Sequence, residues 1–165
     1  MMALWAVVLV LITLGVDLIE QNIAGRYTPS PSATRTQDAG GALLIYRQAV
    51  ENYVLSNSSI GASAAATIPG NSLTFPTGTS MSILPASLGN LIVPDGNGGR
   101  TVYTWVSAPA GTAGVLVAQL GGDATIGTVN SSGTAWVSPE YGTMPAFASS
   151  GPPAGDLISV VTLGN

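Results

Sequence analysis

The run MMALWAVVLVLITLGV at residues 1–16 constrains this chain more than any other feature. It carries no charge, and its one weakly polar side chain is Thr13. As a helix it would span about 24 Å at 1.5 Å per residue. Carried on to Ile19 it reaches about 28 Å, close to the roughly 30 Å of a bilayer core. Asp17 and Glu20 would then lie at the interface, where a carboxylate costs little, and Trp5 would anchor the other end. Residues 1–26 therefore read as a single transmembrane anchor helix. Trp5, Val8, Leu9, Leu11, Ile12, Leu18 and Ile19 are its lipid-facing residues, and the bilayer is its first partner.

Rival readings of this segment fit less well. A secretory signal needs a cationic start and a small-x-small cleavage site, but the chain opens on two methionines and offers no Ala-x-Ala before Arg26. A chargeless run at the very N-terminus is also a poor candidate for a buried core helix. Gly15 with Glu20 at the fifth position after it resembles the processing signature of type IV prepilins. In prepilins, however, the apolar run follows the scissile glycine, and here it precedes Gly15, so cutting there would discard the membrane segment. Arg26 and Arg35 follow the helix and, by the positive-inside rule, weakly disfavour export of what comes next. The chemistry of the remaining surface outweighs that bias.

That chemistry is unusual. Only 7% of residues are charged, there is no histidine or cysteine, and the four cations are the arginines Arg26, Arg35, Arg47 and Arg100. The surface must be built from Ser, Thr, Asn, Gln and Gly, as suits an exported or assembly-forming protein. A net charge of −4 without a basic cluster excludes a nucleic-acid-binding face. Absence of cysteine removes disulfides, thiolate sites and iron–sulfur clusters together.

Residues 27–37, YTPSPSATRTQ, read as a linker broken by Pro29 and Pro31. Asp38 is the candidate N-cap of an amphipathic helix ending near Asn57. Its core stripe is Leu43, Tyr46, Val50, Tyr53 and Val54, at helical spacing, with Gln48, Glu51 and Asn52 on the other side. Beyond a loop, Pro76, Pro85 and Pro94 restrict any strands to short or edge ones. DGNGG at residues 95–99 is a turn. RTVYTWV after it alternates as a strand, with Val102, Thr104 and Val106 on one face and Tyr103 and Trp105 on the other. TAGVLVAQLGG allows either a short helix stopped by Gly121 and Gly122 or a buried strand. A hairpin around Asn130, Ser131, Ser132 and Gly133 follows, and residues 157–163 form the last strand. Helix, helix, then mostly strands predicts an α+β fold: an N-terminal transmembrane helix, then an amphipathic helix packed on a small antiparallel β-sheet, with residues 38–165 as the extracytoplasmic domain.

Chemistry is hard to find in this sequence. Without His, Cys or Lys, nearly every nucleophile-plus-base arrangement is unavailable, so catalytic, metal and cofactor residues are all expected to be none. Asp95 and Asn97 faintly suggest a calcium loop, but its later ligands are missing and a turn is the better reading. Trp136, between Ala135 and Val137, reads as core. Trp105 is the candidate aromatic for a partner contact.

The apolar N-terminal segment, followed by ALLIYRQAVENYV at residues 42–54 with Tyr46, Arg47, Ala49, Val50 and Tyr53, resembles the PilM-like proteins of plasmid-type type IVb thin pili. The resemblance extends through TVYTWVSAPAGTAGVLVAQLGG and the closing GDLISVVTL. It implies a pilin-like or pseudopilin-like α+β fold, with TAGVLVAQLGG as a helix. It also implies a place in the inner-membrane or periplasmic part of the pilus basal machinery, in conjugation or related systems. The linker at Pro29 and Pro31 departs from a continuous pilin spine. The expected function is that of a non-enzymatic, single-pass inner-membrane component. It would act by contacts with other pilus-machinery proteins or pilin subunits, with homo-oligomerisation open. One alternative is a filament subunit packing its N-terminal helix into a polymer core on the cell surface. Another, of a different class, is an exported glycan-binding or hydrolytic domain.

Overall fold

The computed structural model describes residues 31–145, 147 and 151–164. The expected membrane anchor, residues 1–26, lies outside them, as do residues 27–30 of the expected linker. The chain divides into two units, Met1–Thr34 and Arg35–Asn165. Apart from the first turn of the first helix, the described residues belong to the second unit. Among the described residues, no helix is long and apolar enough to cross a membrane.

Helix α1 runs from Pro31 to Ser56. It begins well before Asp38, which is therefore an exposed residue inside the helix rather than its cap. Pro31 starts the helix because a proline at the first position gives up an N–H that has no intrahelical partner, and its fixed φ already suits the helix. At its other end α1 is closed by a side chain from far along the chain. The Arg100 guanidinium Nη1 donates to the carbonyls of Val54 at 2.9 Å and Asn57 at 3.2 Å, with those of Ser58 and Ile60 at 3.4 Å. A cation there meets both the orphan carbonyls and the negative end of the helix dipole.

A 3-10 turn at Gly70–Ser72 leads to strands β1 (Gly89–Pro94) and β2 (Arg100–Val106), then to helix α2 (Thr112–Gln119). Strands β3 (Ile126–Val129), β4 (Trp136–Ser138), β5 (Gly142–Thr143) and β6 (Leu157–Leu163) complete the sheet. Its order is β1-β2-β6-β3-β4-β5, with every neighbour antiparallel. The α+β expectation holds, with both helices on one face of the sheet. The segment left open between helix and strand is α2. Beyond it the Gly122 amide donates to the Val117 carbonyl and the Gly121 amide to that of Ala118, the paired bonds of a Schellman stop.

The turns follow their sequences. In DGNGG the Asp95 carboxylate accepts from the amides of Asn97 and Gly99, both at 2.8 Å. Both bonds fall on the one oxygen Oδ1 and close the β1–β2 hairpin by an Asx-turn. Asn130 uses its side-chain oxygen in the same way for the amides of Thr134 and Ala135.

The sheet is covered on both faces. On one, Leu43 and Ala39 of α1 pack with Ala113, Leu116 and Val117 of α2 over Val106, Ile126 and Leu157. Further along α1, Tyr46, Ala49, Val50 and Val54 pack on Ile92 and Val102 and on Ile68 and Leu73 of the loop. On the other face, Val93, Tyr103, Val129, Trp136 and Ile158 are covered by Met144 and Phe147. The alternation read from residues 102–106 is the alternation between these faces.

Candidate functional site

The helical stripe read from the sequence is the inward face of α1: Leu43, Tyr46, Val50 and Val54 are buried and Tyr53 is half-buried. Two polar networks flank it. In the first, the buried Asn90 side chain donates to the Tyr46 hydroxyl at 2.7 Å and to the Ile68 carbonyl at 2.9 Å, and accepts from the Ile68 amide at 2.7 Å. Burial pushes the Tyr46 phenol above its ordinary pKa, and the Asn90 hydrogen bond only partly offsets this.

The second network centres on Arg47. Its Nη1 lies 3.3 Å from the Asp123 carboxylate, 3.1 Å from the Thr125 hydroxyl and 3.2 Å from that of Ser159. Its Nε is 3.1 Å from Glu51 Oε1. That carboxylate oxygen is buried at ion-pair range but off the N–H direction, so it has no hydrogen bond. One guanidinium thus ties α1 to the start of β3 and to β6. The two carboxylates respond in opposite directions. Burial raises the Glu51 pKa, which the Arg47 charge opposes and the Asp123 charge reinforces. Burial would also raise Asp123, but bonds from the Thr125 hydroxyl and amide and from Arg47 bring it below its usual range. Glu51, read from the sequence as lying on the side opposite the core stripe, is instead drawn inward. An i, i+4 pair with Arg47 beside the stripe was the one signal in the sequence for this.

Carboxylates far apart in sequence are therefore brought together, both within ion-pair range of one arginine. Among the described residues, no group of three or more His, Cys, Asp or Glu could hold a metal ion. Trp105, the aromatic singled out for partner contact, is half-buried on the far face with its ring against Gly89. Trp136 is buried in the core.

The outward side of α1 is different in character. Three adjoining grooves surround it, of about 300, 480 and 550 Å³. The first lies between α1 and α2, floored by Gly40 and Gly41 and lined by Leu44, Val115 and Leu120. The second is bounded by Ile45, Gln48 and Phe75, and the third by Gln37, Ile45 and Ile83. They share Gln37, Gly41, Leu44 and Ile45, so they form one surface with α1 as its ridge. Ile83, Val115 and Leu120 are exposed large apolar side chains on it, and its charged member is Asp38. On the far face a separate depression of about 390 Å³ is lined by Tyr103, Trp136, Val160, Thr101, Thr125 and Thr162.

Comparison with known proteins now bears on this arrangement. No match is found among curated proteins. Among solved structures, the crystal structure of the protein PilM from Escherichia coli B7A is similar, with a TM-score of 0.54. The match covers 80% of this chain and 94% of that one, and at 17% identity it shows a shared fold. The sequence pattern of the PilM family matches residues 9–160. That span takes in both helices, strands β1 to β5 and most of β6, and by it this chain belongs to the PilM family of pilus systems.

Proposed function

We propose that this PilM-family chain is a non-enzymatic component of a pilus assembly or basal apparatus, acting through protein–protein contacts across the outward face of α1. The observation that carries the reading is the continuity of the three grooves around Gly41, Leu44 and Ile45, with exposed Ile83, Val115 and Leu120 on their walls. Apolar, nearly uncharged patches of this kind are what protein interfaces use at their centres. The polar side chains elsewhere support it from the other direction. Arg47, Arg100, Asn90 and Asp95 each hold architecture together.

The partners are other pilus-machinery proteins or pilin subunits. Residues 1–26 anchor the chain in the bacterial inner membrane by a single pass, with the α+β unit on the extracytoplasmic side. Gly41→Glu tests the contact face cleanly. Gly41 is exposed with open space where a Cβ would stand, and replacing glycine inside a helix gains roughly 0.5–1 kcal/mol. The variant should keep or raise its melting temperature yet lose co-purification of pilus-machinery proteins and pilus production. Normal piliation would remove this face from the mechanism. Membrane fractionation, with the intact mass of the extracted chain, tests the anchor: an N-terminus at Met1 or Met2 is expected, and one at Val16 would point to a filament subunit.

A further inference from the structure

The two edges of the sheet are treated differently. One edge strand, β5, has 2 residues, too few to template another strand. The other, β1, has 6 residues, Gly89–Pro94, and is long enough to accept one. Along it runs residues 62–68, which stop just short of being a seventh strand.

Ala66 and Ile92 exchange both backbone bonds, at 2.9 and 2.8 Å, in an isolated antiparallel bridge. Since the Ile92 amide and carbonyl point outward from the sheet, alternation turns those of Asn90 and Pro94 the same way. Pro94 has no N–H to offer. Two residues on from the bridge, the register sets Ile68 opposite Asn90. There the bonds to the Ile68 amide and carbonyl come from the Asn90 side chain, not from its main chain. An amide side chain carries the same donor and acceptor as a peptide group, so the ladder continues while the strap is lifted off by the length of a side chain. Ile68 and Leu73 pin the far end of the strap in the core, and Gly61 packs on the Ile92 side chain at the near end. Between these pins the strap is open to solvent: residues 62–65 and Thr67 are exposed.

We infer that residues 62–68 are an edge guard: they hold β1 closed against strand addition by a second copy of this chain, and lifting them converts that edge into a self-association surface. Fully paired, the segment would itself become a new edge strand with open outward groups. Held by one bridge and one side-chain amide, it covers β1 without presenting a regular ladder of its own.

Two variants break the strap at different points, which guards against one of them failing to fold. Ala66→Pro removes the donor to the Ile92 carbonyl, and Asn90→Val removes both bonds to Ile68. Each is made in the full chain, purified in detergent, and compared with the parent by sedimentation and by amide hydrogen exchange at Ile92. The Val50 amide in α1 reports whether the fold persists. At low concentration the Ile92 amide should exchange roughly tenfold faster than in the parent, the loss expected for about one hydrogen bond. As concentration rises the variants should form dimers and larger species, and Ile92 should become protected again. Faster exchange at Ile92 with parental sedimentation at every concentration would overturn the inference, because the bared edge would not pair. Parental exchange at Ile92 would overturn it too, because the strap would not be what covers that amide.

Discussion

The two faces of the sheet are both buried, but by different means. The face under the helices is mostly aliphatic: beside Tyr46, the side chains of Leu43, Val50, Val54, Leu116 and Val117 meet Ile92, Val102, Val106, Ile126 and Leu157. The opposite face is aromatic and covered by irregular chain. Tyr103 meets Phe147 edge to face, with ring centroids 5.4 Å apart, and burial raises the Tyr103 pKa. Its rings lie directly on glycines. A Cβ on Gly127 would come within 2.5 Å of the Trp136 ring, and one on Gly89 within 2.4 Å of that of Trp105. A helix offers regular ridges of side chains, so many small aliphatic contacts fill the space beneath it. A loop offers few side chains per unit area, so large rings carried by the strands themselves, Trp105 and Trp136, fill space by lying across glycines of the neighbouring strands.

That contrast can be broken first at Gly127. A valine there would meet the Val137 carbonyl at 2.4 Å as well as the Trp136 ring. Gly127→Val should therefore part β3 from β4 and cost more than about 4 kcal/mol by denaturant unfolding. Tolerance of that change would mean that the aromatic face adapts as easily as the helical one. On the helical face, where Leu43 is fully buried, Leu43→Ala should cost about 2–5 kcal/mol through the cavity left behind. Phe147→Ala removes one edge-to-face partner from a half-buried site and should cost about 1–2 kcal/mol. A cost matching that of Leu43→Ala would show that the loop carries as much of the core as α1 does.

The smallest expected effect is electrostatic and belongs to the helical face alone. Glu51 has a folded pKa above its ordinary 4.5, so the stability it contributes is complete below that pH and is lost as pH rises through the raised value. Asp123 is lowered from 3.8, so its contribution stands above that pH and is lost only as pH falls through the lowered value. In the window above pH 4.5, then, Glu51 is the member of this pair that titrates. Glu51→Gln should flatten the decline of the melting temperature over that window. An unchanged slope would mean that Glu51 is solvated in the folded state.

Much of this fold was legible because it is written in short-range periodicity. Leu43, Tyr46, Val50 and Val54 repeat at the helical interval, residues 102–106 alternate, and Asp95 and Asn130 stand where Asx-turns need them. The start of α1 was misread because two prolines look like a break, whereas Pro31 is the residue that a helix accepts at its first position. The grooved face around α1 has no signature of its own. Gly41, Leu44, Val115 and Ile83 come from three stretches of chain, and each is unremarkable where it stands. Trp105 stands out by its residue type, and the structure sets its half-buried ring against Gly89.

The sequence alone determined the elements and the sides they turn inward, because those depend on neighbours within one helical turn or one strand. It also withholds the nucleophile and base side chains His, Cys and Lys, none of which occurs in the chain. Only the tertiary structure decided that Arg100 closes α1, that Arg47 gathers Asp123, Thr125 and Ser159, and that the Asn90 side chain stands in for a peptide group on the β1 edge. Those contacts join residues distant along the chain. Their geometry is set by how β6 enters between β2 and β3 and how α1 lies across them, and no local pattern records that.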